Sequence, residues 1–177
     1  MNYLAHIFLS GDDRRVQIGN FVGDAVKGRT YENYPSGFRE GILLHREIDD
    51  YTDHHLVVRE AIDMLRGDFG RYSGRSLRWF ACSFYGALVL NYRYLPERFK
   101  GFLWHFILTN RLVRYASLSG IKRSLEIMVE YKNLGVDPEA AIVFFERNQD
   151  RLQELFDRFL PDVQEKCRLM LEADISC

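Results

Sequence analysis

The chain has 177 residues, which one domain accounts for, and 47% of them are hydrophobic, enough to build a sizeable core. Its 24 Lys and Arg are balanced by 25 Asp and Glu, so no global basic field draws it to nucleic acid or an anionic membrane. Three cysteines (Cys82, Cys167 and Cys177) lack C-x-x-C spacing, which argues against a disulfide framework and a zinc knuckle. Without a leader-like start at Met1–His6 or a membrane-length apolar run, the expected compartment is a reducing cytoplasm.

Residues 3–9 form a short apolar stretch, either a strand or a helix start. Asp12-Asp13 offers an N-cap, and Val16, Ile18, Phe21, Val22 and Ala25 follow at helical spacing up to a stop at Gly28. Phe38 to Leu65 reads as helical, with Ile42, Leu43, Ile48, Leu56, Val57, Ala61 and Leu65 as core residues and a bend expected within Asp49–His55. Gly67, Gly70 and Gly74 loosen the next connection. A buried helix is expected from Arg75 to Tyr94, and another from a first turn at Pro96 to about Tyr115. Ser117 caps the next, which ends near Gly135. Asp137-Pro138-Glu139 opens the last, which turns at Pro161 and resumes to about Glu172. With no alternating strand set, the expectation is an all-α, single-domain bundle of about six helices over residues 1–177.

The chemistry concentrates in His45-Arg46-Glu47-Ile48-Asp49-Asp50-Tyr51-Thr52-Asp53-His54-His55. Positions i, i+4 and i+7 share a helical face, so His45, Asp49 and Thr52 align, with Asp53 beside them. An imidazole and carboxylates on one stripe can hold a divalent cation, and oxygen ligands favour Mn²⁺ or Mg²⁺. The alternative is a solvated helix face whose histidine is satisfied by a nearby acid. At most one of His54 and His55 joins such a site. Asp24 is a second candidate, at a glycine-flanked helix end where its charge wants a cation. His6 alone reads as a satisfied core histidine. Arg111 and Arg114 either compensate a helix dipole or contact an anion. Cys82, in an apolar aromatic helix, reads as inert. Phosphate-loop, dinucleotide, H-E-x-x-H and G-x-S-x-G motifs are absent.

Four segments together resemble the acyl carrier protein phosphodiesterase family: Met1–His6, Gly19–Gly28, Gly41–Asp53 and Leu112–Ile121. The string His-Arg-x-Ile-Asp-x-x-Thr-Asp at 45–53 is the most specific, and the likeness spans most of the chain. It implies hydrolysis of the phosphodiester joining 4′-phosphopantetheine to a serine of holo-acyl carrier protein. It also implies a divalent metal, typically Mn²⁺, and a distant likeness to the HD-type phosphohydrolases. Mapped onto this sequence, it makes Asp24, His45 and Asp49 catalytic, and Asp24, His45, Asp49 and Asp53 metal ligands. Arg46, Thr52 and Arg114 become substrate-binding residues.

One departure stands out. The family carries a further helix with its own Asp-x-x-x-Asp-His pattern after the region of Arg71–Gly74, whereas here Gly74 runs straight into Arg75-Ser76-Leu77-Arg78-Trp79. A lost helix implies an open metal site with weak affinity and slow or no turnover. It leaves either a rewired hydrolase or a non-catalytic descendant that still docks a carrier protein. It also implies an exposed apolar groove, which a second copy of the chain can fill as a homodimer.

Overall fold

A computed structural model describes residues 3–64, 74–114, 117–132 and 137–174. Leu65, Gly67, Gly70, Tyr115, Gly135 and Cys177, which figure in the expectations above, lie outside these ranges, and so does the side chain of Ala61. The described residues are helical with no strand among them, so the all-α expectation holds. Ten α-helices replace the expected six: α1 (Tyr3–Phe8), α2 (Arg14–Val22), α3 (Ser36–His54), α4 (Leu56–Met64), α5 (Gly74–Leu90), α6 (Glu97–Leu108), α7 (Arg111–Arg114), α8 (Leu118–Lys132), α9 (Pro138–Arg147) and α10 (Gln149–Asp174). The count rises because short breaks divide longer apolar stretches. Asn110 takes a left-handed φ of 48° and ends the run from Pro96 at Leu108, and Asn148 separates α9 from α10. Among the described residues no helix is long and apolar enough to cross a membrane.

The caps follow the sequence. Asp13 accepts from the Arg15 amide at the start of α2, Ser117 Oγ from Gly120 at the start of α8, and Asp137 from Glu139 at the start of α9. Other boundaries differ. α2 ends at Val22 and passes into a 3₁₀ turn, Gly23–Ala25, while Gly28 serves a later left-handed turn with φ 56°. α3 runs unbroken through Asp49–Thr52, and the expected bend falls at His55. Beyond it Leu56 is 79% exposed instead of buried. Pro96 is the N-cap of α6 rather than part of its first turn. Pro161 lies inside α10: Phe159, Val163 and Cys167, buried on either side of it, hold the helix together across the missing N–H.

Two apolar clusters organise the bundle. In the first, Phe21 sits among Tyr3, Phe84, Phe99 and Phe106 with ring centroids 5.0–5.5 Å away, joining α1, α2, α5 and α6. In the second, Val16, Leu44, Ile48, Val57, Leu155, Phe159 and Val163 join α2, α3, α4 and α10. α2 and α3 cross at two glycines. A Cβ on Gly19 would stand 2.2 Å from the Phe38 carbonyl oxygen, and one on Gly41 would stand 2.1 Å from that of Val16. This backbone-to-backbone approach sets how near the polar residues of α3 come to the turn after α2.

Candidate metal centre

Three segments converge on one buried point. His6 comes from α1, Asp24 from the 3₁₀ turn after α2, and His45 and Asp49 lie one turn apart on α3. His45 Nε2 is 3.3 Å from Asp49 Oδ2 and 3.7 Å from Asp24 Oδ1. His6 Nε2 is 3.2 Å from the other Asp49 oxygen. The two imidazoles stack with centroids 4.0 Å apart and planes 19° from parallel. Gly23 makes room for this: a Cβ there would fall 2.4 Å from Cγ of His45.

The ring orientation of His45 follows from its neighbours. Its Nδ1 lies 2.8 Å from the backbone carbonyl oxygen of Asn20. A carbonyl only accepts, so Nδ1 carries the hydrogen and donates. Nε2 is left to face Asp24 and Asp49, with a proton in the cationic ring and a lone pair in the neutral one.

Electrostatics separates the two histidines. Burial disfavours a charged His45, but Asp24 and Asp49 outweigh it and push its pKa up to about 9. Burial also lowers His6, and there Asp49 only partly offsets it. Desolvation would raise Asp49, yet His45 and His6 hold it well below the usual carboxylate range. His45 likewise lowers Asp24, against a smaller desolvation penalty.

The donor set fits a divalent cation. One nitrogen from each of His6 and His45 and one oxygen of Asp49 lie within 4.8 Å of one another. Both Nε2 atoms are buried at ion-pair distance from carboxylate oxygens, yet neither makes an aligned hydrogen bond. Ligand atoms about 2.1 Å from one octahedral ion stand about 3 Å apart when adjacent, close to the separations found here.

The other residues singled out in the sequence fall differently. Asp53 is exposed, and two further turns of α3 carry it about 12 Å along the axis from His45. Thr52 is buried, and its hydroxyl has no hydrogen-bond partner among the described residues. Arg46 turns away from the cluster: Nη2 donates to the carbonyls of Val26 (3.1 Å) and Gly28 (2.7 Å), and the guanidinium lies over the Tyr31 ring. Arg114 is exposed on α7, and Arg111 stacks over Phe102. Neither His54 nor His55 joins the cluster. His54 donates to the Asp50 carbonyl, and His55 pairs with Asp162 of α10. Cys82 is exposed on α5. His6, expected to be a satisfied core residue, is buried but without a hydrogen-bond partner for either ring nitrogen. The available signal was its place at the end of Met1–His6, a segment that already carries the family resemblance.

The described residues thus form an all-helical domain in which two stacked histidines and two carboxylates gather around one point. The profile of the acyl carrier protein phosphodiesterase family matches residues 1–77 and 64–163, and the chain belongs to that family. It is similar to an acyl carrier protein phosphodiesterase of Yersinia pestis, 26% identical over 189 residues covering 95% of this chain and 98% of the relative. One from Photorhabdus laumondii subsp. laumondii is 27% identical over 94% of each chain. One from Salmonella agona is 38% identical over 77 residues, 44% of this chain and 40% of the relative. The Yersinia alignment spans 189 positions on 95% of a 177-residue chain, so about twenty of its positions have no counterpart here. No solved structure matches the chain.

Proposed function

We propose that this protein hydrolyses the 4′-phosphopantetheine phosphodiester of holo-acyl carrier protein, with a divalent cation, Mn²⁺ or Mg²⁺, held by His6, His45 and Asp49. The observation that carries the reading is the convergence of two buried Nε2 atoms, neither in an aligned hydrogen bond, and Asp49 within 4.8 Å, in a chain whose relatives are named acyl carrier protein phosphodiesterase. All three donors lie within residues 6–49, ahead of the Gly74-Arg75 join where a family helix was expected.

When bound, such a cation polarises a phosphoryl oxygen and acidifies water. With a cation bound, His45, oriented through Nδ1–H, turns its Nε2 lone pair to the site, and His6 stacks against it with Nε2 facing the same Asp49 carboxylate. Asp24, whose side chain is 61% exposed and lies 3.7 Å from His45 Nε2, is the carboxylate that accepts the proton of the attacking water. Water oxygen bonds to phosphorus as the bond to the carrier serine oxygen breaks. As it leaves, the serine oxygen takes up the proton that Asp24 accepted, giving apo-carrier protein and free phosphopantetheine.

A second reading, a carrier-binding descendant without turnover, is favoured by one observation: about twenty positions of the Yersinia relative are absent here. Mass spectrometry of holo-carrier protein incubated with the protein and Mn²⁺ separates the two. Loss of the phosphopantetheine mass supports the hydrolase. An unchanged mass alongside a stable complex supports the descendant and overturns the hydrolase.

A further inference from the structure

Asn20 is fully buried on α2, and its carboxamide touches both histidine-bearing segments. Nδ2 donates to the backbone carbonyl of His6 at 3.0 Å and to Ser10 Oγ at 2.8 Å. Ser10 Oγ in turn donates to the same His6 carbonyl at 2.7 Å. On its other side, Asn20 Oδ1 faces His45 Nδ1 at 3.2 Å, and its backbone carbonyl accepts from that atom at 2.8 Å. The orientation of the amide is fixed, because the His6 carbonyl can only accept and must therefore face the NH₂ group. His6 lies on the last turn of α1, where carbonyls lack helical partners, so these two donors determine where that turn docks.

We infer that Asn20 is the positioning residue of the centre: its one side chain sets the spacing and stacking of His6 on His45 by holding the His6 carbonyl and the His45 Nδ1–H together. Its backbone carbonyl fixes the His45 tautomer, and its NH₂ group anchors the backbone that carries the other ring. Asp49 also meets both rings, at their Nε2 atoms, whereas Asn20 holds the opposite side of the pair, at the His6 backbone and the His45 Nδ1–H. Supporting partners of this kind commonly matter by ten- to a hundredfold in metal affinity. The inference rests on reading His6, His45 and Asp49 as a divalent-cation site.

Co²⁺ serves as the probe, because its visible spectrum reports ligand number and type. Wild type, His6→Ala, Asn20→Ala and Ser10→Ala are titrated with Co²⁺, and the metal-free proteins are examined by imidazole ¹⁵N NMR. Asn20→Ala should weaken Co²⁺ ten- to a hundredfold and reproduce the His6→Ala spectrum. Ser10→Ala, a milder change that retains the Asn20 bridge, should shift affinity in the same direction by less. In the metal-free Asn20→Ala protein the His6 ring signals should move, while His45 keeps a protonated Nδ1. Wild-type Co²⁺ affinity and spectrum in Asn20→Ala, with unmoved His6 signals, overturns the inference. Should Asn20→Ala not fold, Asn20→Ser, which keeps a small polar side chain but is too short to bridge the two segments, decides by the same two readouts. If wild type takes up no Co²⁺, the cation reading fails, and the metal-free NMR comparison still tests the bridge.

Discussion

His6 and His45 stack at 4.0 Å although they are far apart in sequence and on different helices, and both Nε2 atoms face the Asp49 carboxylate. Two imidazoles can share one face of a carboxylate in this way only if they are not both protonated, because two adjacent cations would repel. The opposed pKa shifts are the electrostatic counterpart of that packing: His45 is raised by two acids, and His6 is lowered by burial.

His6→Ala should weaken Mn²⁺ by more than about a hundredfold, exceeding the usual effect of losing a supporting partner. Asp53→Asn should leave affinity within about twofold, since Asp53 stands roughly two turns from His45 along α3. Calorimetric titration of both variants checks the pair. Equal losses would put Asp53 back among the ligands.

The cluster also predicts how metal affinity responds to pH. A cation must displace the His45 proton, which is bound up to a pKa of about 9. Mn²⁺ affinity should therefore rise roughly tenfold per unit between pH 6.5 and 8. The metal-free protein should respond oppositely. A folded-state pKa above the unfolded value of 6.5 contributes stability that is complete below pH 6.5 and lost as pH rises through about 9. Thermal melts without metal should fall across that window, and the slope should flatten in His45→Gln. A flat wild-type profile would refute the His45–Asp24–Asp49 coupling.

How far the sequence foretold this site depends on which contacts are local. His45 and Asp49 are one helical turn apart, so periodicity alone places them together. Asp24 was reachable from its glycine-flanked position. His6 was not, because its role depends on how α1 docks on α2, a long-range relation set by Asn20 and Ser10. Asp53 was over-read because a continuous α3 carries it too far along the axis, whereas a bend within Asp49–His55 could have folded it back. Leu56 misled through its type: it follows the His55 break, which turns it to solvent.

Arg46 was expected to bind substrate, but its Nη2 holds two carbonyls of the loop that follows Asp24. Arg98 of α6 holds a third, the Asp24 carbonyl itself, at 2.9 Å. Arg46→Lys keeps the charge but cannot both fork onto the loop and stack on Tyr31. Trypsin cleavage after Lys27 or Arg29 should speed up in Arg46→Lys and more so in Arg46→Ala, with catalytic rate falling in the same order. Unchanged cleavage accompanied by a raised KM alone would restore the substrate-binding role.

Gly23 provides the sharpest steric test of the centre. An alanine Cβ there would lie 2.4 Å from Cγ and 2.5 Å from Cβ of His45, both near the root of a buried side chain with little room to yield. The ring would have to tilt off His6, which breaks the stack and aims Nε2 away from Asp49. Gly23→Ala should thus lose Mn²⁺ binding and hydrolysis together, while overpacking costs about 1–3 kcal/mol of stability. Gly28→Ala is the matched control. Its Cβ meets nothing within 4 Å, but its φ of 56° suits glycine, so it should cost about 1 kcal/mol and leave metal affinity unchanged. Parallel melts and Mn²⁺ titrations compare them. If Gly23→Ala retains wild-type affinity, the ring has another resting position from which it can still serve the site, and the tight seat described here is not what orients His45.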